Sequence, residues 1–190
     1  MDALTPEFKQ FLPRVRMLPA EMLAVHWVAA RMREVDRREV FAGRLTSPEA
    51  LTIDVMTVPG FVDIAWRDAT PCAVVGGREA WPGVWNVWCW GTDDWFSVKL
   101  TVTRHIIRTL IPAIVKSGGW RGQCYSHEDH HEAHAWLKWL GFECEGTMRE
   151  FGRDGSDFFM FGWRVSRNMH GRYADYAEVF NQAHSDGRPT

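Results

Sequence analysis

No apolar run in this sequence approaches the length of a membrane span. The start, MDALTPEFKQFLPR, has neither the basic opening nor the apolar block of a secretory leader. A membrane partner is therefore not expected. Neither charge sign is in excess: the formal net charge is −2, which argues against a nucleic-acid partner and against an acidic tail. There is no CxxC pair, since Cys72, Cys89, Cys124 and Cys144 are widely spaced. They lie in strand-like runs, and the expectation is reduced, buried thiols in a cytosol-like compartment. Internal repeats and low-complexity stretches are also lacking, so solenoids and linkers are excluded.

What is present is ordinary globular stock with one excess. The 190 residues are 46% apolar and 24% charged, enough for one domain with a real core. Eleven tryptophans are more than one small core needs. Most are expected inside, with some of the surplus meeting another protein.

Read in order, VRMLP (15–19) is an edge-strand candidate. Met22, Val25, Val28, Ala29, Met32 and Val35 recur at helical spacing, which predicts one amphipathic helix over 21–41 with its basic residues on a solvated face. Ser47 followed by Pro48 caps a short helix or turn. LTIDVMTV, FVDIAWRD and CAVVGG read as strands, broken by Pro59–Gly60 and DATP. GVWNVWCWG (83–91) has large residues on both faces and should be a central strand covered on both sides. Phe96, Leu100, Thr103, Ile107, Leu110 and Ile114 mark a long helix to about 117, bent in its last turn by Pro112. RGQCYS is a strand. FECEGTMREF and DFFMFGWR form a hairpin about Asp154–Gly155. Residues 1–164 make the domain. Residues 165–190 form an extension with one weak helix, whose Tyr173, Tyr176 and Phe180 are candidate partner contacts together with Trp139.

The segment SHEDHHEAHAWLKWLGF holds four of the chain's eight histidines. On a helix advancing about 100° per residue, His127, His130, His131 and His134 share a stripe beside an apolar face of Ala133, Trp136, Leu137 and Leu140. The pairs His127–His131 and His130–His134 have a zinc-compatible spacing. Zinc needs three or four protein ligands, and no other His or Cys pair completes a set. The expectation is no metal, and a polar stripe at a cleft rim or a contact. A pH-sensitive contact is the alternative, because imidazoles change charge near pH 6.5.

The element order, and HHEAHAWLKWLGFECEGTMRE in particular, resemble the GNAT N-acyltransferase fold. His130 stands where that fold's signature has Asn, Ala133 keeps its Ala, and Gly141–Phe142 end the helix. The resemblance implies an α+β, α/β/α sandwich: a twisted, mostly antiparallel sheet of six or seven strands flanked by helices. Two stretches, WCWGTDDWFSVKLTVTRHIIRTLI and the His-rich helix with its hairpin, are similar to the internal virion protein A family of short-tailed bacteriophages. That implies other virion proteins, or further copies of this chain, as partners, and a place in the virion or in host cytoplasm during assembly.

In the acyltransferases, acetyl-CoA pyrophosphate lies on a glycine-rich loop opening the long helix. The resemblance puts any acyl-CoA on Trp90, Gly91, Thr92, Asp93, Asp94 and His130, with free backbone groups in WCWG. Here the loop keeps only Gly91 and places Asp93–Asp94 beside the phosphates. Those carboxylates suit capping of the long helix better. The helix tyrosine that protonates the leaving thiolate is replaced by Leu137, which has no proton to give, with Tyr125 or a histidine as substitutes. The expectation is a catalytically degenerate GNAT-like domain with no cofactor and no catalytic residue assigned. The alternative is an acetyl-CoA-dependent N-acetyltransferase acting on a protein or small amine.

Overall fold

A computed structural model describes residues 14–43 and 45–168. One sheet of seven strands runs through the domain. The strands are β1 (Val15–Pro19), β2 (Phe61–Arg67), β3 (Thr70–Trp81), β4 (Val84–Gly91), β5 (Arg121–His127), β6 (Glu143–Met148) and β7 (Phe158–Arg164), in the spatial order β1-β2-β3-β4-β5-β7-β6. Every pairing is antiparallel except β4–β5. The expected α+β architecture is therefore the one found.

Large side chains on both faces of β4 produce a core on each side of the sheet. Trp90, with Ile64 and Val74, packs under α1 (Met22–Ala30) and α3 (Pro48–Thr57). Val87 and Cys89 face the other way, toward α4 (Trp95–His105) and α5 (Ile111–Lys116), whose Val98, Val102, Ile111 and Val115 join Phe161 and Trp163. Fully burying one such side chain contributes about 1.5–3 kcal/mol, so the two clusters dominate the fold's stability.

Three expected elements come out differently. The single helix over 21–41 is two, α1 and α2 (Glu34–Phe41). Between them Met32 bridges Thr92, and the Arg33 amide donates to the Gly91 carbonyl at 2.9 Å. The end of β4 takes backbone groups that would have continued the helix. LTIDVMTV is helical in α3, not a strand. Ser47 accepts from the Ala50 amide at 3.2 Å, and Leu51 and Val55 bury one helical face against α1. Cap and packing override the β-branched composition. In the long helix the irregularity precedes Pro112: Ile106–Leu110 is a π-turn joining α4 to α5, and Pro112 falls in the first turn of α5, where its missing N–H costs little.

The β4–β5 pair positions the site. These parallel strands hold register only from Val84–Arg121 to Asn86–Gln123. The last rung is a side-chain bond, Gln123 Nε2 to Asn86 Oδ1 at 3.1 Å. Beyond it the two strands part, and Val87–Gly91 and Cys124–His127 face each other across a gap.

Candidate functional site

The gap is a cleft of about 470 Å³ reaching both faces of the sheet. α2 lines one part of it. Arg33, Asp36 and Glu39 are three residues apart, so they share one stripe of that helix. Asp36 is 2% exposed and accepts the Gly91 amide at 2.7 Å. The Arg33 guanidinium grips the same carboxylate with Nε at 3.0 Å and Nη2 at 2.8 Å. One turn on, Glu39 accepts from the Ser126 hydroxyl at 2.6 Å, the His127 amide at 2.8 Å and His130 Nδ1 at 3.1 Å. Two carboxylates of one helix thus bind the backbone of both parted strands.

A second layer closes the space between α4 and α6 (His131–Trp139). Glu132 accepts from Arg33 Nη1 at 3.2 Å, Lys99 Nζ at 2.8 Å and Trp95 Nε1 at 3.3 Å. Trp95 meets Trp136 edge-on at 5.3 Å, and Trp136 Nε1 donates to Thr103 at 3.0 Å. The electrostatics follow from burial set against pairing. Burial pushes the Asp36 carboxyl up, against the opposing pull of Arg33. Burial also works to lower the His130 imidazole, but Glu39 and Asp36 outweigh it and hold its pKa above the ordinary value. Glu132 is disfavoured by burial yet sits below its usual range because Lys99 and Arg33 flank it. Burial raises the Cys89 and Cys124 thiols, so both stay protonated and poorly nucleophilic.

A pH dependence follows from His130. A folded-state pKa raised above the unfolded one gives stability that is complete below the ordinary histidine value of about 6.5. That contribution is lost as pH rises through the folded value. Urea midpoints measured from pH 6 to 8 should fall for the native chain more steeply than for His130→Gln. Parallel profiles for the two proteins would contradict this assignment.

The four clustered histidines do not form the expected polar stripe. His127 ends β5 and lies outside the helix, and His130, at the N-cap of α6, is buried. His134 is also buried, against Phe159 and Phe161, and bonds the His127 carbonyl at 3.0 Å. Only His131 of the four is exposed. Among the described residues, no three His, Cys, Asp or Glu side chains converge as a metal set. The first helix's basic residues also depart from a uniformly solvated face, since Arg33 is 11% exposed.

Of the residues the acyltransferase resemblance singled out, Trp90 is buried on the α1/α3 face, away from α4. Gly91 and Thr92 are buried, and Asp93 and Asp94 are exposed. The backbone groups expected to be free in WCWG are taken at Gly91, where Asp36 holds the amide and Arg33 the carbonyl. Asp94 does not cap α4 with its side chain, which instead pairs with Arg67 at 2.6 Å. Loop amides are spent internally: Thr92 on the Cys72 carbonyl, Asp94 on the Thr92 hydroxyl, Trp95 on the Thr92 carbonyl. A pyrophosphate meets two exposed carboxylates here and no converging set of amides, so this loop does not fit one. Leu137 lines the cleft, and Tyr125 lies across it beside Phe151. Trp139 is 52% exposed on α6. Cys144 is exposed, contrary to the buried thiol expected there. Tyr173, Tyr176 and Phe180 lie outside the described residues.

Arg33, Asp36, Glu39, Lys99 and Glu132 were not singled out from the sequence. The one signal available was the three-residue spacing of Arg33, Asp36 and Glu39, which puts opposite charges on one stripe of a helix.

No family model matches the sequence, and no curated protein matches it. Solved structures do. The ribosomal-protein-S18-alanine N-acetyltransferase of Escherichia coli is 13% identical, with 80% of this chain and 94% of that one covered at a TM-score of 0.62. Ard1 of Thermoplasma volcanium is 12% identical, covering 79% and 97%, at 0.63. A GNAT-family acetyltransferase of Streptococcus pneumoniae is 14% identical, covering 80% and 99%, at 0.59. The chain therefore has the GNAT acyltransferase fold, as HHEAHAWLKWLGF implied. Identities this low define the fold alone.

Proposed function

We propose that this chain is a catalytically degenerate GNAT-fold domain acting through contacts with other proteins, as a virion or assembly protein of the kind its similarity to short-tailed phage proteins implies. The observation that carries the reading is that Asp36 and Glu39, which line the cleft, take backbone amides of both parted strands. Those carboxylates hold the Gly91 and His127 amides, and the Glu132 cluster ties α4 to α6 above them. A contact role is supported by the outer face of α1, where Met22 and Leu23 are exposed, Leu23 by 85%, and the half-exposed Trp27 is stacked by the Arg31 guanidinium. The deciding experiment is calorimetric titration with acetyl-CoA. Binding should not saturate below millimolar concentration, against the micromolar affinity a working cleft would show, a gap of about 4 kcal/mol. Saturation at micromolar levels overturns the reading.

That result would favour an acetyl-CoA-dependent N-acetyltransferase acting on a protein or small amine. The likeness to solved acetyltransferases supports this second reading better than it supports a virion role. So does a cleft that reaches both faces of the sheet, since it offers two approaches to one point.

The extension after β7 bears on the first reading. Val165 is fully buried and its amide bonds the Trp120 carbonyl at 3.0 Å, so a clean truncation must keep it. Deleting 169–190 should leave thermal unfolding unchanged and lower the recovery of the protein in purified particles. Equal incorporation of the shortened chain would remove the extension from the contact.

A further inference from the structure

α1 is apolar on both sides, which a helix at the surface of a domain ordinarily is not. Met22–Ala30 contains no Asp, Glu, Lys or Arg. Ala24, Val25, Val28 and Ala29 are buried against the sheet and α3, while Met22, Leu23 and Trp27 stay exposed on the outside. A helix of that kind is normally covered on both sides, and the domain covers α1 on one.

The exposed apolar surface continues beyond α1. The helix begins beside the start of β2, where the Ala20 amide bonds the Val62 carbonyl, and α3 ends just before the same strand, so the two helices run antiparallel. His26 Nε2 lies 4.0 Å from Glu49 Oε1 across them. Met22 is one turn before His26 and Ile53 one turn after Glu49, which brings those two exposed residues together. Leu18, at the end of β1, and Val58, just after α3, are exposed at the same end. Six large apolar side chains on one face go beyond the single scattered exposures normal for a monomer.

The two ends of α1 select what covers it. Glu21 precedes the first turn and Arg31 closes the last, and both are exposed. The Arg31 guanidinium lies over the half-exposed Trp27 ring at 3.5 Å, which places it on the outer face. These opposite charges stand about 15 Å apart along the axis, with His26 midway in the sequence. A two-fold contact needs a patch complementary to itself, in which residue i meets j and j meets i. An antiparallel pair of α1 helices centred on His26 meets that condition, because it sets each Glu21 against the Arg31 of the other copy.

We propose that two copies of this chain associate through α1, antiparallel about a two-fold axis near His26. Leu23 and Trp27 form the centre of the contact, and Glu21–Arg31 pairs close its two ends. The inference rests on the contact role proposed above and names the partner. It does not depend on the loss of catalysis, because among the described residues none from Met22 to Ala30 lines the cleft.

Sedimentation equilibrium of the full chain at pH 8 tests it. At tens of micromolar the expected mass is twice the chain's 21.9 kDa. Leu23→Asp changes a side chain that a single copy leaves in solvent, so the fold should survive while association weakens at least about tenfold. Glu21→Arg and Arg31→Glu each set like charges together at both ends of the contact, and each should weaken it about tenfold. The double variant Glu21→Arg/Arg31→Glu restores opposite pairs and should return to within about twofold of the native affinity. Phe96→Asp, at an exposed position on α4, should leave the dimer intact. If Leu23→Asp fails to fold, the charge exchange decides. A monomeric native chain at that concentration, undiminished association in a folded Leu23→Asp chain, or a double variant no better than the single ones would each overturn the proposal. The wider contact role is decided separately, by the acetyl-CoA titration and by recovery in particles, so the two failures are distinguishable.

Discussion

Asp36→Ala is expected to lower the stability of the domain by about 3–5 kcal/mol in urea unfolding. The carboxylate lies inside the fold, with Arg33 paired to it and the Gly91 amide donating to it. Removing it leaves a guanidinium that is 11% exposed with Glu132 as its carboxylate partner, and takes the acceptor from a buried amide. Burying an unpaired charge costs far more than an ordinary hydrogen bond contributes, so most of the loss comes from what is left behind. Asp36→Asn separates the two effects. It keeps an acceptor for Gly91 and loses the charge, so its cost should fall between the native chain and the alanine variant. If Asp36→Ala costs under about 1 kcal/mol, α2 is not clamped to the sheet.

Phe161→Ala should cost a similar amount, about 3–5 kcal/mol, for a different reason. Phe161 is 1% exposed in β7, paired in register with Cys124 on one side and Cys144 on the other. Its ring lies 5.3 Å from that of His134, at the base of α6. Truncation leaves a void that strands bonded on both edges cannot collapse to fill. The denaturant slope should stay constant while the midpoint falls, since the change removes packing and not a whole element. A loss below about 1.5 kcal/mol would mean that the neighbouring side chains repack freely.

The contrast between these two residues shows where the sequence was readable. Phe161 lies in DFFMFGWR, an apolar run after a strong turn signal, and its burial follows from local pattern. Asp36 lies among arginines in a stretch whose pattern reads as a solvated helix face. Nothing local distinguishes Asp36, which is buried, from Asp129, which is exposed. Its burial depends on α2 landing across the end of β4, and that contact joins residues 55 positions apart.

The loop after β4 was partly legible. The scarcity of glycine and the two aspartates in GTDDWFSVK spoke against a pyrophosphate cradle. They did not reveal that Thr92 organises the turn and that Asp94 turns to Arg67. The π-turn before Pro112 likewise has no sequence signature beyond the proline that follows it.

Local periodicity determined the strands of the hairpin, the two-faced β4 and the apolar face of α6, because those depend on neighbours a few residues away. The LGF-ended helix was enough to identify the GNAT-like architecture. Tertiary structure alone decided that LTIDVMTV is helical, that the 21–41 helix breaks at Met32, and that Asp36 and Glu39 bind the backbone of the two parted strands. In each of these the deciding partner is distant in the chain: α1 for α3, Thr92 and Gly91 for the break, and the amides of two parted strands for the carboxylates. A buried charge or a backbone bond to another element is specified by what folding brings to it, and one segment read alone carries no record of that.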